Sequence, residues 1–367
     1  KDEDGRISAW SRPASWTMGL LQPGDWKAEW IGADEIFDPH QKDCNISDPW
    51  LRKTFELATA PAKANIFIAS VGYHELYVNG KKISDNVLAP AVTDHAKRAR
   101  YIAYDIAAAL KPGKNVITIW LGTSWSIFGP YIAPDKPQTP IVIAQAAIYN
   151  DPLKAPALLL KTDASWLTHP SPNKLLGAWD FNRMGGELWD ANKEVKDWNA
   201  IACDERTWKK VTVYHTSLLL SAQMVEPNKV LNEIKPAAIE ARPDGSYRVD
   251  MGVNFAGWTS VKVSGAPGAL ITFEYSERQQ NDMTFGLHSA YIIGKEGQGV
   301  FRNHFNYSSG RWITIRGLKY KPSPDDIRGW LVRTEVQPAT NFACSDSLHN
   351  WIYDRVRWTF ENLSFGG

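Results

Sequence analysis

Three places in the chain carry residues whose types could do chemistry. Asp85 and Asn86 lie just after Asn79-Gly80, the pair that ends the alternating run Tyr73-His-Glu-Leu-Tyr-Val78. Asn-Gly between such runs is a hairpin signal, so Asp85-Asn86 belongs to a loop. Two adjacent oxygen-bearing side chains on a loop can ligate Ca²⁺ or engage sugar hydroxyls. The plainer reading is an Asx turn. Glu187 and Asp190 flank Trp189 in Gly186-Glu-Leu-Trp-Asp-Ala191. Carboxylates beside an indole suit a sugar, and equally suit structural hydrogen bonds. Trp125 stands beyond an apolar run that ends near Leu121. Its flat face can take the C–H face of a pyranose or pack in a core.

Other chemistries find little support. Cys44, Cys203 and Cys344 are few, odd in number and far apart, which excludes a disulfide scaffold and argues against a thiolate metal site. The histidines, among them His74, His95, His169 and His304, show no metal-ligand spacing. The 41 Lys+Arg nearly cancel the 40 Asp+Glu, and no basic stripe appears, so nucleic acid is not an expected partner. No apolar run approaches the roughly 18 residues of a membrane span. The 17 Trp and 13 Tyr are the informative excess, serving core packing, sugar stacking, or both.

The elements that must position these residues are mostly strands. Residues 50–57, 64–71, 73–78, 101–105, 115–121 and 141–149 read as short strands with turn pairs between them. That spacing predicts a sandwich or jelly roll. Residues 151–225 are less regular and read as the return of the same sandwich. A second β-domain is expected from Tyr247–Met251, Trp258–Ser264, Ala269–Tyr275, Gly299–Tyr307, Trp312–Ile315 and Asp326–Val336. Ile7–Trp10 reads as a strand of a small domain. The tail differs: Leu348, Ile352, Val356 and Phe360 repeat at i, i+4, i+8, i+12, a helix stripe with Ser345 as expected N-cap. Its apolar side is expected to face inward.

Several segments resemble the bacterial α-L-rhamnosidases of glycoside hydrolase family seventy-eight. Trp10-Ser-Arg-Pro, Gly19-Leu-Leu and Asp25-Trp-Lys-Ala-Glu-Trp-Ile-Gly32 resemble a seam between an N-terminal fibronectin-like domain and the next module. Gly72–Gly80, Tyr101–Asp105 and Leu121-Gly-Thr-Ser-Trp125 resemble the family's carbohydrate-binding sandwich. Gly186–Ala191 is close to Gly-Glu-x-Tyr-Asp-Ala, with Trp189 for Tyr and Asn192 where Arg is usual. Asp250–Trp258 is similar to Asp-x-Gly-Gln-Asn-x-x-Gly-Trp, with Val253 for Gln. Phe342–Asn350 resembles the entry to the catalytic domain.

The resemblance implies a mainly-β fold of successive jelly-roll-like sandwiches, then the first helix of a truncated (α/α)₆ barrel. The expected divisions are 1–32, a fibronectin-like remnant and linker; 33–225, a carbohydrate-binding sandwich; 226–338, a second sandwich; and 339–367, the start of the catalytic domain. It further implies inverting hydrolysis of terminal α-L-rhamnosyl bonds in an extracytoplasmic glycan or glycoside. The catalytic acid and base are expected beyond this chain, which alone should be inactive; a rhamnose-binding, lectin-like module is the alternative. Calcium-assisted rhamnose binding at Asp85-Asn86 is an implied property of the sandwich. Asn254 and Gly257 read as architectural.

Overall fold

The computed structural model describes residues 3–12, 14, 16–131, 138–180 and 183–365. Pro13, from the Trp10–Pro13 segment, lies outside them. Two antiparallel-rich sheets form a sandwich. One runs in the order Thr212–Tyr214, Trp30–Gly32, Ile141–Tyr149, Lys63–Val71, Arg98–Asp105, Leu219–Ala222, with Leu158–Lys161 added on Ile141–Tyr149. The other runs Lys209–Lys210, Leu167–Pro170, Pro49–Leu57, Gly113–Gly122, Tyr73–Val78, Lys81–Lys82. Ile66, Ile68, Leu76, Val78, Ile117, Ile119, Val142 and Ile148 fill the space between them. The strands alternate, so the other face of Lys63–Val71 sends Phe67 and Ala69 into a second cluster, covered by Leu20 and Trp26.

The Asn79-Gly80 hairpin forms as the dipeptide demands. Both residues have positive φ (51° and 86°), and Val78 pairs with Lys81 across them. A two-residue loop with both centres left-handed matches the twist of the flanking strands.

A third, ten-stranded sheet carries the remaining β-structure. Its axis is one long strand, Tyr247–Ser264, with an irregularity between Asp250 and Phe255 where Gly252 takes φ 77°. The sequence reads there as two strands; the break in alternation is a bulge within one. Phe273, Phe301, Ile313, Ile315 and Ile327 form the core of this curled sheet. Two strands from the first half of the chain join it. Asn173–Leu175 pairs with Glu187–Asp190, which runs parallel to His288–Ile292. The expected 33–225 unit thus lends two strands to its neighbour.

Between the second and third sheets lies an aromatic layer. Trp50 stacks on Trp198 at 4.3 Å with 7° between the rings, and Trp120, Trp208, Trp258 and Phe305 pack around them. Buried Arg52 fixes this layer by donating to the carbonyls of Trp198 (3.2 Å) and Ala200 (3.1 Å). Much of the tryptophan excess is therefore packing.

Two expectations fail at the ends. Ile7–Trp10 forms no strand, and Trp10 is fully exposed because no neighbouring strand covers it. The tail helix forms, at Ser347–Leu363, but Asp346 rather than Ser345 caps it, accepting from the Leu348 N–H at 2.8 Å. Its stripe faces outward: Leu348, Ile352 and Val356 are 60%, 44% and 63% exposed. The docking contacts come instead from Trp358, whose Nε1 donates to the Asn254 carbonyl (2.8 Å), and Asn362, which accepts from the Ala256 N–H (2.6 Å). Trp358 lies about 200° around the helix from Val356, so seating it turns the stripe away from the sheet.

Candidate functional site

Asp85 and Asn86 occupy the loop after Lys81–Lys82, as the hairpin requires. That loop is laced to the third sheet. The Val87 N–H donates to the Asn228 carbonyl (3.0 Å), and Lys229 holds the Asp85 carboxylate. The hydrogen bond from Lys229 keeps the Asp85 carboxyl below the usual range. The Asn86 N–H donates to Ser84 Oγ at 3.1 Å, a local turn contact. This donor set does not fit Ca²⁺, which takes about six to eight oxygens. It offers one carboxylate, already paired with a cation. Among the described residues no group of three or more His, Cys, Asp or Glu is placed to hold a metal.

Glu187 and Asp190 separate. Glu187 is buried at the junction of the second and third sheets. Its Oε1 accepts from Asn173 Nδ2 (3.0 Å) and the Phe305 N–H (2.6 Å). Its Oε2 accepts from Asn303 Nδ2 (3.2 Å) and the His304 N–H (2.8 Å). Asn173 also donates to Asp48 (2.8 Å), whose other oxygen accepts from the Thr123 N–H and Oγ1, both at 2.7 Å. Burial pushes Glu187 up to about 7 and Asp48 up to about 6, against the pull of those donors. Both carboxylates sit out of reach of a substrate. Asp190 caps the short turn Ala191–Lys193 and borders a broad groove of about 860 Å³, with Glu35, Thr168, Lys174 and Lys209 also on its walls.

Trp125 reaches a cleft. It rides on the 3-10 turn Ser124–Ile127 that follows the strand Gly113–Gly122. Its Nε1 donates to the Tyr73 hydroxyl at 2.9 Å. Burial pushes the Tyr73 hydroxyl well above its ordinary pKa, so it stays neutral. On one side of Trp125 lies a cleft of about 490 Å³, bordered by Tyr73, Thr93, Asp94, Asn228, Tyr307 and Phe365. Tyr307 stacks on Phe365 at 4.3 Å. On the other side Trp125 meets Trp179 edge to face, 5.4 Å between centroids.

This face sets flat rings beside hydroxyl, amide and carboxylate groups, an arrangement whose chemistry can accommodate a sugar ring. Of the five residues singled out in the sequence, Trp125 alone lies here. Tyr73, Asn228 and Tyr307 were not singled out. Tyr73 sits within the Gly72–Gly80 motif, but nothing local marks Asn228 or Tyr307, which the chain brings in from the third sheet.

Comparison with known proteins points one way. The alpha-L-rhamnosidase N-terminal domain profile matches residues 59–232, and the bacterial alpha-L-rhamnosidase concanavalin-like domain profile matches 240–333. An alpha-L-rhamnosidase of Formosa agariphila is 29% identical over 98% of this chain and 41% of its own length. One from Alteromonas sp. is 25% identical over 99% of this chain and 41% of its length. The solved alpha-L-rhamnosidase of Dictyoglumus thermophilum superposes with TM-score 0.84 at 28% identity, covering 95% of this chain and 40% of that one. This chain spans well under half the length of these relatives.

Proposed function

The chain belongs to the bacterial alpha-L-rhamnosidase family, and from that premise we propose that its β-domains bind rhamnose-bearing glycans for a catalytic domain elsewhere in the same protein. The observation that carries this reading is the aromatic face at the seam, where Trp125, Tyr73 and Tyr307 converge with Asn228. Among the described residues the two carboxylates that burial raises, Glu187 and Asp48, are locked in a structural network, which supports placing the acid and base outside residues 1–367. In the inverting hydrolysis we assign to the whole protein, one carboxyl protonates the leaving oxygen and another activates water across a gap of roughly 6.5–9.5 Å. Among the described residues no helix is long and apolar enough to cross a membrane. A polymeric glycan too large to cross a membrane favours work outside the cytoplasm.

Calorimetry with L-rhamnose tests the reading. Binding is expected, with at least a tenfold loss in Trp125→Ala, about 1.4 kcal/mol. A chelator should leave it unchanged, since Asp85 is engaged by Lys229. Heat that vanishes with chelator, or no binding by the unmodified chain, would overturn the assignment. The same sample should not hydrolyse an aryl α-L-rhamnoside. Turnover abolished by a substitution within 1–367 would show that the catalytic groups are here after all.

A further inference from the structure

The two aromatic walls of the cleft come from different sheets. Trp125 follows the strand Gly113–Gly122 of the second sheet, and Tyr307 precedes the strand Ser308–Arg316 of the third. Their separation depends on what joins the two loops that carry them. Asp48 and Glu187 grip those loops by the backbone. Asp48 accepts from the Thr123 N–H at 2.7 Å, and the Thr123 carbonyl accepts from the Ser126 N–H at 2.8 Å, closing the turn on which Trp125 rides. Glu187 accepts from the N–H groups of His304 (2.8 Å) and Phe305 (2.6 Å), just ahead of Tyr307. One side chain ties the two carboxylates together: Asn173 Nδ2 donates to Asp48 at 2.8 Å and to Glu187 at 3.0 Å. A carboxylate accepts, and an amide nitrogen carries two hydrogens, so the neighbours assign Nδ2 and each hydrogen has its own acceptor. Asp48, Asn173 and Glu187 are all buried, where such bonds are stronger than in water. The loops also touch. A Cβ added to Gly122 would lie 2.2 Å from Phe305 Cγ, so the ring rests on bare backbone at the end of the Trp125 strand.

We infer that Asn173 is a positioning residue for the cleft: by bridging Asp48 and Glu187 it holds the Trp125 and Tyr307 walls at a set separation. Glue between two sheets could end on any backbone group. This relay ends on Thr123 and Phe305, each two residues from a wall. Rings that must grip a ligand from both sides need support to within roughly 0.5 Å, which locked hydrogen bonds behind them supply. The inference rests on the sugar-binding reading above and adds to it what sets the width of the site.

The test measures L-rhamnose affinity of the 367-residue chain by calorimetry, well below the thermal midpoint. Asn173→Leu keeps the approximate volume and removes both hydrogen bonds; affinity should fall about fivefold. In a Trp125→Ala background the same change should alter affinity by less than about twofold, because one wall is gone and no separation is left to set. Should Asn173→Leu not fold, Gly122→Ala carries the test, since its methyl displaces Phe305 while every side chain of the relay remains. The same loss and the same cancellation are expected. Phe273→Leu, in the core of the third sheet, should lower the midpoint and leave affinity at the parent value. Parent affinity in a folded Asn173→Leu or Gly122→Ala chain, equal losses with and without Trp125, or a matching loss in Phe273→Leu overturns the positioning role while sugar binding stands. No L-rhamnose binding by the unmodified chain overturns both.

Discussion

Glu187→Ala is expected to cost about 4 kcal/mol or more of stability, enough to leave much of the chain unfolded at moderate temperature. The substitution strips the acceptor from four donors at once: Asn173 Nδ2, Asn303 Nδ2 and the N–H groups of His304 and Phe305. Each buried donor left unpaired costs about 1–3 kcal/mol, although water entering the vacated space offsets part of the sum. Glu187→Gln keeps the volume but turns an NH₂ toward at least one donor, so a smaller loss is expected. Guanidinium unfolding measures both. A Glu187→Ala midpoint within about 1 kcal/mol of the parent would show that the network is dispensable. The carboxylate in the Gly186–Ala191 motif is on this view a bolt between two sheets, which its position beside Trp189 does not announce.

Replacing His74 should flatten the acid limb of the stability curve. His74 is buried, its Nδ1 2.8 Å from Ser70 Oγ and its Nε2 3.0 Å from the Tyr104 hydroxyl. Ser70 Oγ donates to the Gly72 carbonyl, so Nδ1–H is assigned as donor to Ser70 and Nε2 as acceptor from Tyr104. Burial lowers the His74 pKa to about 3, with the Glu75 carboxylate pulling the other way. The sign follows. Above the ordinary value of 6.5 both folded and unfolded forms are neutral, and the full contribution is present. As pH falls from 6.5 toward 3 the unfolded chain takes up a proton that the folded chain refuses, and stability is lost. One proton corresponds to about 1.4 kcal/mol per pH unit. His74→Gln should be less stable than the parent at neutral pH, yet its stability should fall less steeply between about pH 6 and pH 4, by up to that slope. His95 and His304 shift the same way, and Asp48 and Glu187 the opposite way. They remain in both proteins, so the difference between the two slopes isolates His74. Parallel acid limbs would mean that His74 is protonated in the folded chain.

Much of the β-architecture was legible because its signals are local. Alternation marks Lys63–Val71 and Tyr73–Val78, and Asn79-Gly80 names its own turn. The helix was legible by period, its docking side was not. An i, i+4 stripe records where apolar residues are, whereas Trp358 and Asn362 engage the sheet by hydrogen bonds that periodicity cannot register. The Tyr247–Ser264 strand hid behind its bulge. Within the site, Trp125 could be picked out because it follows a strand, while Asp85 could not be told from a turn without Lys229, 144 residues away in the chain.

The loan of Asn173–Leu175 and Glu187–Asp190 to the third sheet has a consequence for heredity. Two β-units joined by a bare linker can be shuffled by recombination, each folding wherever it lands. Here a crossover between residues 190 and 226 would deliver a third sheet lacking its edge, and a sandwich carrying a strand pair whose Glu187–Asp190 edge has lost its partner. Such hybrids would be purged as they arose. The two units are therefore bound to descend together as a single cassette, and substitutions in the strands 187–190 and 288–292 should be found to change in concert.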